Sequence, residues 1–170
     1  GAYTTKLVAQ LMRDLGSIPS PQNSFLLNLG LETLALRVRQ HCANAQKVAE
    51  WLEKNPKVGW VNYCGLPSNK SYALAQKYLP NGSCGVIAFG LNGTREEAIK
   101  FMDNLEFISI VTHVADAGAC VLHPASHTHR QLSDQQLKEA GIPADLVRLS
   151  VGIENVEDII ADLEQAMAKM

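Results

Sequence analysis

Two groups of residues in this sequence have types and spacings suited to chemistry. The first is Arg148, the single charge in the apolar stretch Leu146-Val147-Arg148-Leu149-Ser150-Val151. A guanidinium stays charged and is costly to bury unpaired, so it must meet an anion or emerge at an edge. Its planar fork suits a carboxylate held by two bonds. The same side chain can also serve a structural ion pair with Asp116, Glu154 or Asp158, or bury its stem and wet its head. The second group is His123, His127 and His129, spaced His-x3-His-x-His, with His113 and Asp116 upstream. Three imidazoles this close could hold zinc and leave a position open for water, as in a metal hydrolase. No fourth ligand is placed by pattern, and Pro124 begins a turn, so the commoner outcome is histidines that face solvent or bond to backbone.

The elements that must position these residues can be read from periodicity. Arg148 falls on a strand from Leu146 to Val151, and Gly152 and Glu154 lead into a last helix from Asn155 to Lys169 that buries Val156, Ile159, Ile160, Leu163 and Met167. Other strand-like runs are Val58 to Tyr63, Cys84 to Gly90, Phe107 to His113 and Gly118 to Leu122, rich in Val, Ile, Phe and Tyr. Between them lies a helix from Ser71 to Leu79. Thr94 with Glu97, and Ser133 with Gln136, have capping-box spacing for two more.

The N-terminal third is helical. Leu7, Val8, Leu11, Met12 and Leu15 recur at helical spacing up to a Gly16 stop. That helix starts without a cap, as expected of a piece of something longer. After an extended turn at Pro19 and Pro21, one long helix is expected from Asn23 to Lys54, its buried stripe being Leu27, Leu31, Leu34, Val38, Cys42, Ala45, Ala49 and Leu52. Pro56 ends it. The expected fold is an α/β sandwich, in the α+β sense, with a mostly antiparallel sheet, helices on one face, and a long helix before it.

Composition excludes several classes. With 15 basic and 17 acidic residues, a net charge of −2 and no basic block, there is no electrostatic footprint for nucleic acid or a membrane surface. No apolar run approaches the ~18 residues of a spanning helix, and the N-terminus lacks signal-peptide order. The chain reads as cytosolic. Cys42, Cys64, Cys84 and Cys120 are widely spaced and expected to be small buried hydrophobes, neither a disulfide framework nor a zinc site.

Four stretches carry a resemblance. Arg13-Asp14-Leu15-Gly16, Gly30-Leu31-Glu32-Thr33-Leu34, His123-Pro124-Ala125-Ser126-His127-Thr128-His129 and the stretch around Arg148 run in one order across nearly the whole chain. In that order they resemble the pyridoxal phosphate enzymes of cysteine and methionine metabolism, and among these the O-acetylhomoserine sulfhydrylases. The resemblance implies the small C-terminal domain of a fold-type I transferase. Residues 1–55 would be a helical linker region with a long inter-domain helix, residues 56–170 the small domain, and the cofactor domain would lie outside the chain. It further implies that Arg148 grips the substrate's α-carboxylate, that Thr128 and Ser126 sit in a loop lining the substrate side of the pocket, and that the whole enzyme is a homo-oligomer. The intact enzyme would convert O-acetylhomoserine and sulfide to homocysteine and acetate.

Two departures matter. Such catalysis needs a lysine to bind the cofactor's aldehyde, and Lys6 after Thr4 and Thr5 only echoes the family pattern. It lies inside a helix that the family's lysine precedes. No catalytic residue is therefore expected here, and no cofactor on this chain alone. After Asp116-Ala117, where the family has a basic residue and then Ser or Thr beside the substrate carboxylate, stand Gly118 and Ala119; the missing hydroxyl would cost about 1.5 to 3 kcal/mol of substrate binding. The competing readings are a binding or assembly module of the same fold, and the histidine-based metal hydrolase.

Overall fold

The first amphipathic pattern forms three consecutive segments, α1 (Ala2–Lys6), a wider π-helical stretch (Leu7–Met12) and α2 (Arg13–Leu15). Gly16 ends them at φ 66°, the left-handed stop expected of it. Helix α3 (Pro21–Glu32) starts on Ser20, whose Oγ accepts from the Asn23 N–H, with Pro21 in the first turn. The single helix expected from Asn23 to Lys54 is in fact two. The chain leaves helical geometry at Thr33 (φ −107°, ψ 6°), and α4 (Leu34–Lys54) follows. Two poor helix formers, Gly30 and Thr33, sit at or near the break. Leu26, Leu27, Leu29 and Leu31 also surround α3 on several sides, so no one face directs it. The expected stripe divides accordingly: Leu27, Leu31, Leu34 and Val38 are exposed, whereas Ala45, Ala49 and Leu52 are fully buried.

The computed structural model describes all residues 1–170. Residues 1–35 form one compact unit and residues 36–170 another. Most of α4 belongs to the second unit, where it buries His41, Asn44, Ala45, Val48, Ala49 and Leu52. None of α1, the π-helical stretch, α2 or α3 has a buried residue.

The second unit is built on five strands, β1 (Val58–Asn62), β2 (Val86–Leu91), β3 (Ser109–Ile110), β4 (Cys120–Leu122) and β5 (Leu146–Ser150). Their order is β1-β2-β5-β4-β3, antiparallel throughout except for the parallel pair β3 and β4. The run from Phe107 to His113 pairs only at Ser109 and Ile110, and the chain from Val111 to Gly118 is exposed loop. Helices α5 (Tyr72–Tyr78), α6 (Arg95–Asp103), α7 (Asp134–Glu139) and α8 (Val156–Ala168) complete the unit. Both expected capping boxes form, at Thr94 with Glu97 and at Ser133 with Gln136.

Period-two alternation along β5 decides what each face does. Val147 and Leu149 point into the core with Ile87, Phe89 and Val121, against Val48 and Leu52 of α4, Phe101 of α6, and Ile159 and Leu163 of α8. Phe89 and Phe101 meet edge to face at 6.2 Å. Leu146, Arg148 and Ser150 take the opposite face. Beyond β5 the backbone is fastened to α4: the Asn44 amide donates to the carbonyls of Gly152 (3.0 Å) and Glu154 (2.8 Å), and His41 Nδ1 donates to that of Val151 (2.6 Å). A second fastening holds the approach to β3. The N–H groups of Glu106, Phe107 and Ile108 and the Gln165 amide all donate to the Asp162 carboxylate, at 2.8 to 3.0 Å. Burial pushes that carboxyl up, but those bonds outweigh it and hold it below the usual carboxylate range. No helix is long and apolar enough to cross a membrane.

Candidate functional site

Arg148 lies on the central strand, with Ala88 of β2 and Leu122 of β4 as its cross-strand neighbours. Small and aliphatic neighbours leave the guanidinium no partner on the sheet. It reaches the 111–118 loop, where Nη2 donates to the carbonyls of Thr112 (2.9 Å) and His113 (3.3 Å). Of the five guanidinium donors, these two bonds leave three, and Nε is buried without any partner. None of the acids that could have made Arg148 a structural pair does so. Asp116 faces the His113 ring at 3.4 Å, Glu154 Oε1 accepts the Ala119 N–H at 2.5 Å, and Asp158 forms no ion pair. Carbonyl oxygens supply dipoles but no counter-charge, so the group keeps its positive charge uncompensated.

The guanidinium borders a cavity of about 450 Å³. Its polar lining is Arg148, Thr112, Thr128 and His129, and its apolar lining includes Ala88, Leu122, Ile142 and Leu146. A mostly aliphatic hollow with one fixed cation suits a small organic anion with a short apolar or weakly polar tail. Thr128 is on this wall, its hydroxyl 2.9 Å from His129 Nδ1. Ala119 is not. It is 3% exposed, in the core cluster, and its amide is spent on Glu154.

The loop that holds Arg148 is fixed by residues with no motif to announce them. The buried Ser150 Oγ accepts the Ala115 N–H at 3.0 Å, and Cys120 Sγ meets the His113 carbonyl at 3.2 Å. Ala115 has φ 61°, and no other residue except glycine has a positive φ. Gly152 lets the loop pass: a Cβ there would lie 2.4 Å from the Ala119 nitrogen and 2.6 Å from the Ala117 carbonyl oxygen. The one signal in the sequence for Ser150 was its spacing, two residues from Arg148 on the same face.

The histidines do not converge, and no group of three His, Cys, Asp or Glu side chains is arranged to hold a metal. His123 is fully buried and satisfied on both nitrogens, with Nε2–H donating to the Ala144 carbonyl (2.7 Å). That fixes Nδ1 as the acceptor of the Ser126 hydroxyl (2.8 Å), and His127 Nδ1 then donates to Ser126 Oγ (2.9 Å) or the His123 carbonyl (3.0 Å). Burial, the largest influence, holds the His123 pKa below that of a free imidazole. The cluster fastens the loop beside the cavity. The thiols are all free; only Cys120 is buried, while Cys42, Cys64 and Cys84 are half-exposed. Burial and the neighbouring Cys64 both push the Cys42 and Cys84 thiols up.

Comparison with known proteins gives these features a context. A family model described as Cys/Met metabolism PLP-dependent enzyme matches residues 2–168. O-acetyl-L-homoserine sulfhydrylase of Leptospira meyeri is 46% identical over 167 residues, 98% of this chain and 38% of its own length. Homocysteine synthase of Schizosaccharomyces pombe is 45% identical over 166 residues, again 98% of this chain and 39% of its own. A crystal structure of a Campylobacter jejuni protein described as a putative O-acetylhomoserine (thiol)-lyase, carrying a pyridoxyl-lysine monophosphate, superposes with a TM-score of 0.88 at 39% identity. It covers 98% of this chain and 40% of that one. The chain thus spans about two fifths of the length of these relatives.

Proposed function

The chain belongs to the Cys/Met metabolism PLP-dependent enzymes, and from that premise we propose that residues 56–170 are the substrate-carboxylate-binding small domain of an enzyme that converts O-acetylhomoserine and sulfide to homocysteine and acetate. Residues 1–55 would be the helical linker region of that enzyme. The observation that supports this reading best is the guanidinium of Arg148, held on one nitrogen by two carbonyls, uncompensated by any carboxylate, and bordering the cavity.

The cavity lining contains no lysine and no acid. It therefore offers no amine for the aldehyde of pyridoxal phosphate and no carboxylate for its pyridine nitrogen, and these residues do not fit the cofactor. In the relatives' chemistry the cofactor acts as the electron sink. What this wall contributes is binding and orientation. The Nη1 donors of Arg148, which are not spent on the loop, take the α-carboxylate in charge-assisted bonds, and the aliphatic lining from Ile142 and Leu146 accepts the methylenes of the side chain. Fixing the carboxylate fixes which bond of the α-carbon is presented to the reacting partner. Ala119, buried and turned to Glu154, adds no hydroxyl to this grip.

Self-association and a cytosolic location belong to the same reading. Tyr3, Leu15, Phe25 and Leu31 are each at least 60% exposed in residues 1–35, an apolar surface of the sort that partners cover. The substrate assignment is tested by calorimetric titration of O-acetylhomoserine and of its methyl ester into the chain. The free acid is expected to bind and the ester not. Equal binding of both would refute recognition through the carboxylate.

A further inference from the structure

The grip on the carboxylate depends on where the guanidinium points, and the structure shows what sets that direction. Arg148 and Ser150 alternate onto the same face of β5, and Ser150, only 1% exposed, spends its hydroxyl on the Ala115 N–H at 3.0 Å. That bond holds a loop residue that would not choose its own conformation. An alanine at φ 61° crowds its Cβ against its own backbone and costs about 1 kcal/mol, so it persists only where neighbours enforce it. The turn at Ala115 brings the preceding carbonyls, those of Thr112 and His113, back over Nη2. The Cys120 thiol, cross-strand from Ser150, fixes the His113 carbonyl from the other side. We propose that Ser150 is a positioning residue for Arg148: by holding Ala115 in its left-handed turn it keeps the Thr112 and His113 carbonyls on Nη2, and so fixes which donors face the cavity. The link to substrate affinity rests on the carboxylate-binding reading; the orientation of the guanidinium does not.

The test separates the two. In the ¹⁵N-labelled chain, a guanidinium clamped on Nη2 shows hindered rotation about its Nε–Cζ bond, and a released one rotates fast. Ser150→Ala is expected to speed this rotation and weaken O-acetylhomoserine binding about tenfold, the worth of one well-made bond. Ser150→Thr should keep both properties, since a cavity of about 180 Å³ beside Ser150 has room for the extra methyl. Ala115→Val attacks the same bond from an exposed position, because a β-branched residue cannot hold this φ. It is expected to release the guanidinium without touching the core, and so serves if Ser150→Ala does not fold. Unchanged rotation in Ser150→Ala or Ala115→Val would overturn the positioning role while leaving carboxylate binding intact. Released rotation in a chain whose wild type binds no O-acetylhomoserine would uphold the positioning and overturn the substrate reading instead.

Discussion

Two charged side chains on the same unit are treated in opposite ways. Asp162 is 5% exposed and takes four hydrogen bonds, three from consecutive backbone N–H groups, so its charge is fully spent inside the fold. Arg148 donates two bonds to exposed loop carbonyls, keeps its Nε without a partner, and meets no carboxylate. The difference distinguishes a charge that the fold uses from a charge that the fold presents. A saturated ion stabilises its surroundings, whereas an unsaturated one beside a cavity costs stability and is positioned for a ligand.

The comparison breaks if the two residues respond alike to truncation. Asp162→Ala, which would strand three N–H groups ahead of β3, is expected to cost about 3 kcal/mol or more in urea denaturation. Its pH signature has a definite sign. A carboxyl held below its unfolded value contributes stability that is complete above about pH 4 and lost as pH falls through the folded value. Asp162→Asn should therefore flatten the acid limb of the stability curve. Gly152→Ala is expected to lower stability by about 2 kcal/mol, since its Cβ must push backbone atoms of the loop that holds Arg148; thermal unfolding measures it.

A smaller effect sharpens the picture at the histidine loop. Burial holds the His123 pKa below that of the unfolded chain, so the unfolded state binds more protons and stability falls as pH drops below about 6.5. The midpoint of His123→Gln should vary less than that of the wild type between pH 7 and 5.5. The smallest change is expected at the presented charge: Arg148→Ala should alter stability by less than about 1 kcal/mol, because water replaces it on two exposed carbonyls. A loss comparable to that of Asp162→Ala would make Arg148 a structural residue and erase the contrast.

Much of this was legible from residue types, and the rest was not, for identifiable reasons. Alternation of Val147, Leu149 and Val151 around Arg148 placed the strand, its core face and the cation on the opposite face, and the two capping boxes placed α6 and α7. The partners of Arg148 left no trace because they are backbone carbonyls, which any residue carries. The turn at Ala115 was invisible because glycine is the residue that normally marks a positive φ. Ser150 belongs to no motif, and its bond to the Ala115 N–H joins residues 35 apart in the chain. Helical period alone ran α3 and α4 together across Thr33, since a stripe does not show where weak formers let a helix break. The His-x3-His-x-His spacing described a sequence distance that the turn at Pro124 converts into hydrogen bonds with Ser126 and the backbone.

The central claim is that Arg148 presents its charge to an amino-acid carboxylate, and the Nε–H resonance of Arg148 reports on it directly. Titration of O-acetylhomoserine into the ¹⁵N-labelled chain is expected to shift that resonance in a saturable way, with no comparable response to the methyl ester. A resonance that stays in place while ligand binds elsewhere, or while no ligand binds at all, would contradict the account.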